Sequence, residues 1–162
     1  MMIREITQNE IFECVSVIKE AFMTVADEFG FTVENAPRFT AFAMCEERLR
    51  WHYEKEKRPM FAYYENGKII GYYSLVLYEN GECELNNLAV LPSYRHQGIG
   101  EKLLLHSFEE AGKRNCTIMK IGIVEENTVL RKWYEAHGFV HIGTEKYDFF
   151  PFTCGYMKNA LV

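Results

Sequence analysis

Residues 95–100 read Arg-His-Gln-Gly-Ile-Gly and place basic residues and glycines directly before a helical pattern. Gly98 and Gly100 carry no Cβ, so the backbone there turns tightly and approaches a ligand closely. The helix that follows begins with unpaired N–H groups and with the positive end of its dipole, and these features together bind phosphate. Arg95 and His96 add positive charge, and Arg suits bidentate phosphate contacts. This stretch therefore predicts a phosphate-binding loop.

A second interpretation of the same residues is an ordinary strand-to-helix turn whose glycines serve packing. The context favours phosphate, because the apolar run Leu88 to Leu91 precedes the glycines and a predicted helix, Gly98 to Lys113, follows them. The loop belongs to neither of the two commoner phosphate-binding classes. It has no Gly-Lys-Ser/Thr and no third glycine in a Gly-x-Gly-x-x-Gly pattern.

The elements that must position this loop follow from hydrophobic periodicity and turn signals. Three strands lead into it, joined by Asn-Gly turns, and are predicted for Met60–Glu65, Lys68–Tyr78 and Glu82–Leu91. Before them the pattern predicts a strand (Met2–Ile6), followed by a helix that a capping box at Thr7 and Glu10 begins and that runs to Val25. A loop (Asp27–Ala36) then leads to a second helix, which begins at Asn35 and Pro37. After the loop helix come a strand (Cys116–Ile123), a helix (Asn127–His137) that Gly138 ends, and two strands (Phe139–Tyr147 and Thr153–Lys158).

Composition limits the classes of function that are open to this chain. Its 162 residues suit a single domain, 1–162, and a hydrophobic fraction of 48% predicts a packed core. The net charge of −5 argues against a general nucleic-acid-binding protein, which needs a basic face. No stretch approaches 18 apolar residues, so no membrane association is expected.

Cysteines and histidines are scattered in a way that predicts free thiols and no metal. Five single cysteines without a Cys-x-x-Cys pair suit small core residues in a reducing, cytoplasmic compartment. The five histidines show no metal-ligand spacing with one another or with the cysteines.

Two motifs resemble the signatures of the GNAT superfamily of acyl-CoA-dependent N-acetyltransferases. The loop at residues 95–100 is similar to the Arg/Gln-x-x-Gly-x-Gly/Ala motif of that family. Asn127, Tyr134, Gly138 and Phe139 are similar to its second signature, Asn … Tyr-x-x-x-Gly-Phe. The resemblance covers residues 68–139 well and implies a GNAT-like α/β (α+β) fold: a mixed, largely antiparallel central sheet of about seven strands flanked by about four helices.

The resemblance also implies roles for individual residues, with acetyl-CoA as the co-substrate. The backbone of Leu88, Ala89 and Val90 would pair with the pantetheine arm, and the Leu88 amide would polarise the thioester carbonyl. Asn127 would fix the pantetheine arm, and Tyr134 would stand beside the sulfur as the acid. The loop N–H groups would hold the pyrophosphate, and the loop residues are Arg95, His96, Gln97, Gly98, Ile99 and Gly100.

Helical spacing gives a partly independent test of the second motif. Asn127 and Tyr134 are seven residues apart, two turns, so they share one helix face with Arg131 between them. Without the motif, Tyr134 would be interpreted as a core tyrosine with its hydroxyl bound to backbone. Asn127 is also a natural N-cap.

The proposed chemistry needs a general base, because acyl transfer to an amine requires a neutral nitrogen. A lysine-like amine has a pKa of about 10.4, so its deprotonation at pH 7 costs about 4–5 kcal/mol. Glu84 occupies a position where some GNAT members carry a catalytic glutamate. In a regular strand Glu84 shares a face with Leu88 and Val90, so it would face the thioester and act through a water. The alternative is a solvent-facing strand residue.

The acceptor is the least determined part of the sequence interpretation. In the family, the acceptor site is bounded by segments that here contain acidic and aromatic residues: Asp27, Glu28, Glu34, Phe29, Phe31, Phe149, Phe150 and Phe152. Acidic groups beside aromatic faces would suit a cationic amine. The phenylalanines are equally candidates for the hydrophobic core. The leading hypothesis is an N-acetyltransferase that acts on a small-molecule amine by direct transfer. The alternatives are a protein or peptide N-acetyltransferase and a non-catalytic acyl-CoA sensor. A homodimer is compatible with the family.

Overall fold

A computed structural model describes residues 2–161 and contains one seven-stranded sheet. The strand order is β1-β2-β3-β4-β5-β7-β6, and only the β4–β5 pair is parallel. The strands are β1 (Met2–Glu5), β2 (Met60–Glu65), β3 (Lys68–Leu77), β4 (Glu82–Val90), β5 (Ile118–Val124), β6 (Val140–Glu145) and β7 (Cys154–Ala160). The predicted fold class, a largely antiparallel mixed sheet flanked by helices, is confirmed.

Five α-helices cover the two faces of this sheet. They are α1 (Ile11–Phe29), α2 (Thr40–Ala43), α3 (Glu46–Glu54), α4 (Ile99–Lys113) and α5 (Thr128–Ala136). One face, here called the α4 face, carries Tyr73, whose hydroxyl lies 2.7 Å from His106 Nδ1 of α4. The opposite face, the α1 face, carries Val124, which packs with Ala26 of α1.

The capping box predicted before the first helix is confirmed, but the helix is longer than predicted. Thr7 and Glu10 form the predicted capping box, and the Thr7 N–H donates to Glu10 Oε1 over 2.8 Å. The helix runs four residues past the predicted end, to Phe29, and Gly30 closes it in a left-handed conformation (φ 73°). Part of the predicted loop is therefore helical.

The predicted second helix is wrong in extent, because residues 35–39 are not helical and the rest of the segment forms two short helices, α2 and α3. Met44 and Cys45 adopt extended backbone (ψ 135° and 167°) and separate α2 from α3. Asn35 does not cap a helix; its Oδ1 accepts from the Thr32 N–H over 2.8 Å and closes a turn. With the bonds from the Asn35 N–H to Thr32 Oγ1 and from Asn35 Nδ2 to the Gly30 carbonyl, three turn-forming hydrogen bonds replace the cap that the sequence suggests.

Candidate functional site

The centre of the candidate site is a gap between the two parallel strands. β4 and β5 pair only where residues 82–84 face residues 118–120. Beyond Glu84 and Lys120 the strands have no ladder pairing within the described residues, so the rest of β4 and β5 bounds a slot. Backbone N–H and C=O groups along this stretch of β4 are consequently open to an extended ligand.

A β-bulge in β4 changes which side chains face the slot. Ser74 of β3 lies opposite Asn86, but Tyr72 lies opposite Ala89, so β4 contains one extra residue. Asn87 sits at this bulge with a left-handed backbone (φ 55°). The bulge reverses the alternation of side chains between the two halves of β4.

The expectation that Glu84 shares a face with Leu88 and Val90 is therefore wrong. Glu84 pairs with Lys120 and lies on the α1 face, whereas Val90 pairs with Gly71 on the α4 face. The Glu84 carboxylate accepts hydrogen bonds from Tyr78 Oη (3.1 Å) and Asn86 Nδ2 (3.2 Å). It stands at the last paired position before the slot opens, on the side opposite α4.

The side chain of Arg95 does not point toward the helix N-terminus. Its Nη1 donates to Thr24 Oγ1 (2.8 Å), its Nη2 to the Ala21 carbonyl (2.9 Å) and its Nε to the Val90 carbonyl (3.3 Å). Burial lowers the pKa of this guanidinium. The predicted bidentate contact with phosphate is thus replaced by a brace between α1 and the end of β4.

The backbone of the loop turns tightly into the N-terminus of α4, as the sequence predicts for a phosphate-binding loop. His96 (φ 63°) and Gly98 (φ 79°) are both left-handed, and Gly98 caps α4. The first N–H groups of α4, from Ile99 onward, have no intrahelical acceptor. Gly100 faces the Trp133 ring, and a Cβ added there would lie at an ordinary contact distance of 3.7 Å from that ring. Gln97 is exposed and lies outside the cleft described below.

Helix α5 supplies the polar residues of the second motif. Asn127 is its N-cap, and Oδ1 accepts from the Leu130 N–H over 3.2 Å. The ring of Tyr134 is buried between Trp133 and Phe139, at centroid distances of 5.0 and 5.3 Å. Burial raises the pKa of Tyr134, so its hydroxyl keeps its proton at neutral pH.

One cleft of about 630 Å³ connects these features across the sheet. It is lined by α1, the slot, the loop and α5, and includes Gly122 of β5. Ten of the predicted site residues line it: Leu88, Ala89, Val90, Arg95, His96, Gly98, Ile99, Gly100, Asn127 and Tyr134. Glu84 and Gln97 are the two that do not.

Sequence interpretation missed the residues on the α1 face of the slot. Gly122 is exposed, lies opposite Tyr156 of β7, and an added Cβ would meet only the Tyr156 ring within 4 Å. A lone glycine inside an apolar strand is a recognised signal for a close approach to a ligand or backbone. That signal was present in β5, whereas nothing local indicates that Tyr156 stands beside it.

The aromatic residues expected near the acceptor divide between core and surface. Phe31 and Phe152 are buried and pack against each other, with ring centroids 4.8 Å apart. Phe149 is exposed, and the guanidinium of Arg38 lies 4.1 Å from its centroid. Of the three acidic residues expected near the acceptor, Glu28 of α1 lines the cleft, whereas Asp27 and Glu34 do not.

Residues 2–161 contain no cluster of three or more His, Cys, Asp or Glu side chains suited to a metal ion. In the same range, every helix is too short or too polar to cross a membrane.

Comparisons with known proteins agree with this geometry. A family model described as the Acetyltransferase (GNAT) family matches residues 23–139, which include the loop, the slot and α5. The chain is 30% identical to the [ribosomal protein bS18]-alanine N-acetyltransferase of Escherichia coli strain K12 over 107 residues, which cover 66% of this chain and 70% of that protein. It is 31% identical to the Haemophilus ducreyi protein of the same name over 81 residues, so that match spans 55% of the relative's length.

Solved structures share the fold at low sequence identity. The crystal structure of the ribosomal-protein-S18-alanine N-acetyltransferase from Escherichia coli superposes with a TM-score of 0.78 at 19% identity, covering 99% of this chain and 93% of that one. The PaiA N-acetyltransferase from Thermoplasma acidophilum, solved with coenzyme A, gives a TM-score of 0.73 at 16% identity and 98% coverage of both chains.

Proposed function

The chain belongs to the GNAT family of acetyltransferases, which use acetyl-CoA, and we propose that it transfers the acetyl group to the primary amine of a small molecule. Acetyl-CoA would enter the slot from the α4 face, with its pyrophosphate on the loop N–H groups of residues 95–100. The pantetheine arm would pair with Leu88, Ala89 and Val90. The Asn127 Nδ2 group, which its N-cap bond leaves free, would hold that arm.

The acetyl carbon would then lie in the slot, where the two strands separate. Tyr134 is proposed as the acid beside the sulfur, because its neutral hydroxyl can donate to a departing thiolate. Glu84 is proposed as the base that removes a proton from the acceptor ammonium through a water. Its position on the α1 face supports this role, since donor and acceptor would then approach the slot from opposite faces of the sheet.

The observation that carries the small-molecule proposal is an aromatic seal on the α1 face. The loop at residues 146–153 packs against residues 31–39, with Phe152 lying 4.8 Å from Phe31 and 5.9 Å from Phe39 between ring centroids. Ala26, Ala36 and Val124 complete this buried cluster. A peptide would need an open groove between these two segments, and the cluster fills that space.

A protein or peptide acceptor is the second candidate, and the relatives named above support it. Those proteins are named for an alanine of a ribosomal protein. A peptide would reach the slot here only along a path outside the aromatic seal, which makes acceptor length the property to measure.

We would therefore measure acetyl-CoA-dependent thiol release with a ladder of acceptors that share one amine: an amino-acid amide, its dipeptide and its hexapeptide. We expect kcat/KM to fall at least about tenfold from the first to the last, because the longer acceptors have to displace packed aromatic rings. The opposite order would replace the small-molecule proposal with the peptide one.

The Tyr134→Phe variant is the control for the enzyme itself. It should bind acetyl-CoA within about twofold of the wild type in calorimetry while losing at least about tenfold in kcat. Acetyl-CoA binding by the wild type without thiol release on any amine would support the sensor alternative.

A further inference from the structure

This inference rests on the proposed function and concerns a proton that the proposed acid and base do not remove. An ammonium acceptor loses two protons from its nitrogen during acetylation. Glu84 is proposed to take the first, before attack. When the neutral amine forms its bond to the acetyl carbon, the nitrogen becomes positively charged and must lose a second proton as the carbon–sulfur bond breaks. Tyr134 supplies a proton to the sulfur, so the second nitrogen proton needs an acceptor of its own.

The side chain of Tyr156 lies on the α1 side of the slot, with its ring beside Gly122, although Tyr156 itself is not among the residues that line the cleft. Tyr156 pairs with Gly122 on the α1 face, and its ring is the only group within 4 Å of the Cβ that Gly122 lacks. Gly122 is exposed and also lines the cleft, so the open space above it joins the slot to this face. An amine that enters from the α1 face would pass beside Tyr156.

The Tyr156 hydroxyl is the first member of a hydrogen-bonded chain that ends at an exposed carboxylate. Its oxygen lies 2.9 Å from Tyr147 Oη. Tyr147 Oη in turn donates to Glu145 Oε2 over 3.3 Å. Because the hydroxyl proton of Tyr147 is directed to Glu145, we assign Tyr156 as the donor to Tyr147. The Tyr156 oxygen, whose other hydrogen-bond neighbour is the Cys154 thiol, then keeps a lone pair that can accept a proton.

We infer that Tyr156, Tyr147 and Glu145 form a proton relay that carries the second proton of the acceptor nitrogen from the slot to the surface. The nitrogen proton passes to Tyr156 as Tyr156 passes its own proton to Tyr147. Tyr147 passes its proton to the Glu145 carboxylate, which exchanges it with water. No group in the relay changes its oxidation state. Over the whole cycle Glu84 and the relay each release one proton to water and Tyr134 takes one proton back, so one proton leaves in net for each acetyl group transferred.

The surroundings of Tyr156 require this transfer to be concerted. Burial first, and then the hydrogen bond with Tyr147 and the neighbouring Glu145 carboxylate, raise the pKa of Tyr156. Tyrosinate is therefore absent at neutral pH, and the hydroxyl accepts a proton only while giving one away. Burial also raises the pKa of the neighbouring Cys154 thiol, which leaves no thiolate to take the proton instead.

The test compares Tyr156→Phe, Tyr147→Phe and Glu145→Gln, each of which removes one relay group and keeps the side-chain shape. Each is expected to lower kcat at least about tenfold, with the KM for the amine and the Kd for acetyl-CoA within about threefold of the wild type. The double variant Tyr156→Phe/Tyr147→Phe should be no slower than Tyr156→Phe alone, because the groups act as one chain. Tyr53→Phe, on α3 and outside the cleft, is the matched control and should keep full kcat.

Three outcomes overturn the relay. Full kcat in Tyr156→Phe would make this tyrosine a packing residue. A slow Tyr147→Phe beside a fully active Glu145→Gln would mean that Tyr147 only holds Tyr156. Losses that add in the double variant would mean that the two hydroxyls act separately. If the wild type releases no thiol with any amine, the proposed function fails; if the wild type is active and all three variants are too, only the relay fails.

Discussion

The Arg95 guanidinium braces the entrance of the proposed phosphate loop against α1 and β4. It donates three hydrogen bonds: two to α1, at Thr24 Oγ1 and the Ala21 carbonyl, and one to the Val90 carbonyl of β4. Hydrogen bonds from a charged group to buried acceptors contribute about 1.5–3 kcal/mol each before the cost of desolvation. Arg95 therefore fixes the position at which the chain leaves β4 and enters the loop, and the loop backbone is the part that we propose binds phosphate.

At the residue scale we predict that Arg95→Ala acts first on stability. The free energy of unfolding should fall by about 2–3 kcal/mol, because three hydrogen bonds from one part-buried charged group to α1 and β4 are lost. The Kd for acetyl-CoA should rise as a consequence, since the loop is no longer held to α1. Denaturant unfolding and calorimetry measure the two effects. Thr24→Ala, which removes one acceptor of the three, should give a smaller loss of stability in the same direction.

A direct contact between Arg95 and phosphate would leave a different signature. The variant would then unfold at the same denaturant concentration as the wild type, and the dependence of acetyl-CoA binding on salt would become shallower. Arg95→Lys adds a second test, because a lysine keeps the charge but cannot reach three acceptors from one planar group.

At the scale of elements, sequence predicted those features whose cause is local and missed those whose cause lies in a neighbouring strand. The hairpin turns, the capping box and the N-cap at Asn127 each depend on a few adjacent residues, and all of them were predicted. The bulge at Asn87 depends on how β4 pairs with β3, and it moved Glu84 to the opposite face from Leu88. The orientation of Arg95 likewise depends on α1, more than 70 positions away in the chain.

The capping box at the start of α1 makes a measurable contribution to acid stability. Burial opposes ionisation of Glu10, but hydrogen bonds from Arg4, Thr7 and Tyr64 outweigh it and lower the pKa of Glu10 to about 2. A carboxylate with a depressed pKa stabilises the fold above its unfolded pKa, and this stabilisation is lost as the pH falls through the folded pKa. The loss should therefore occur between about pH 5 and pH 2 and amount to at most about 3 kcal/mol.

Chemical denaturation of wild type and Glu10→Gln as a function of pH checks this prediction. The variant should be less stable at pH 7, and the difference between the two proteins should shrink toward pH 2. Glu20→Gln, an exposed substitution on the same helix, is the control and should follow the wild-type pH curve. A constant difference between wild type and Glu10→Gln over this range would show that Glu10 acts through packing and not through its charge.

At the scale of the whole molecule, the separation of β4 and β5 leaves a gap in the sheet that connects its two faces. The cleft reaches α5 and the loop on one side and α1 on the other, so two substrates can meet in the slot without sharing an entrance. Direct transfer requires both to be bound together, whereas a covalent mechanism requires a nucleophile in the slot. None of the five cysteines lines the cleft, and Cys14, Cys83 and Cys116 are buried.

This arrangement predicts a ternary complex and sequential kinetics. Double-reciprocal plots against acetyl-CoA at several amine concentrations should intersect, and mass spectrometry of the protein mixed with acetyl-CoA alone should find no acetylated enzyme. Cys154 is the thiol closest to the proposed acceptor path, on the same strand face as Tyr156. Cys154→Ala should therefore keep kcat within about twofold of the wild type. Parallel plots together with an acetyl group on Cys154 would instead establish a two-step transfer. Acetyl-CoA and the amine would then bind in the gap between β4 and β5 one after the other.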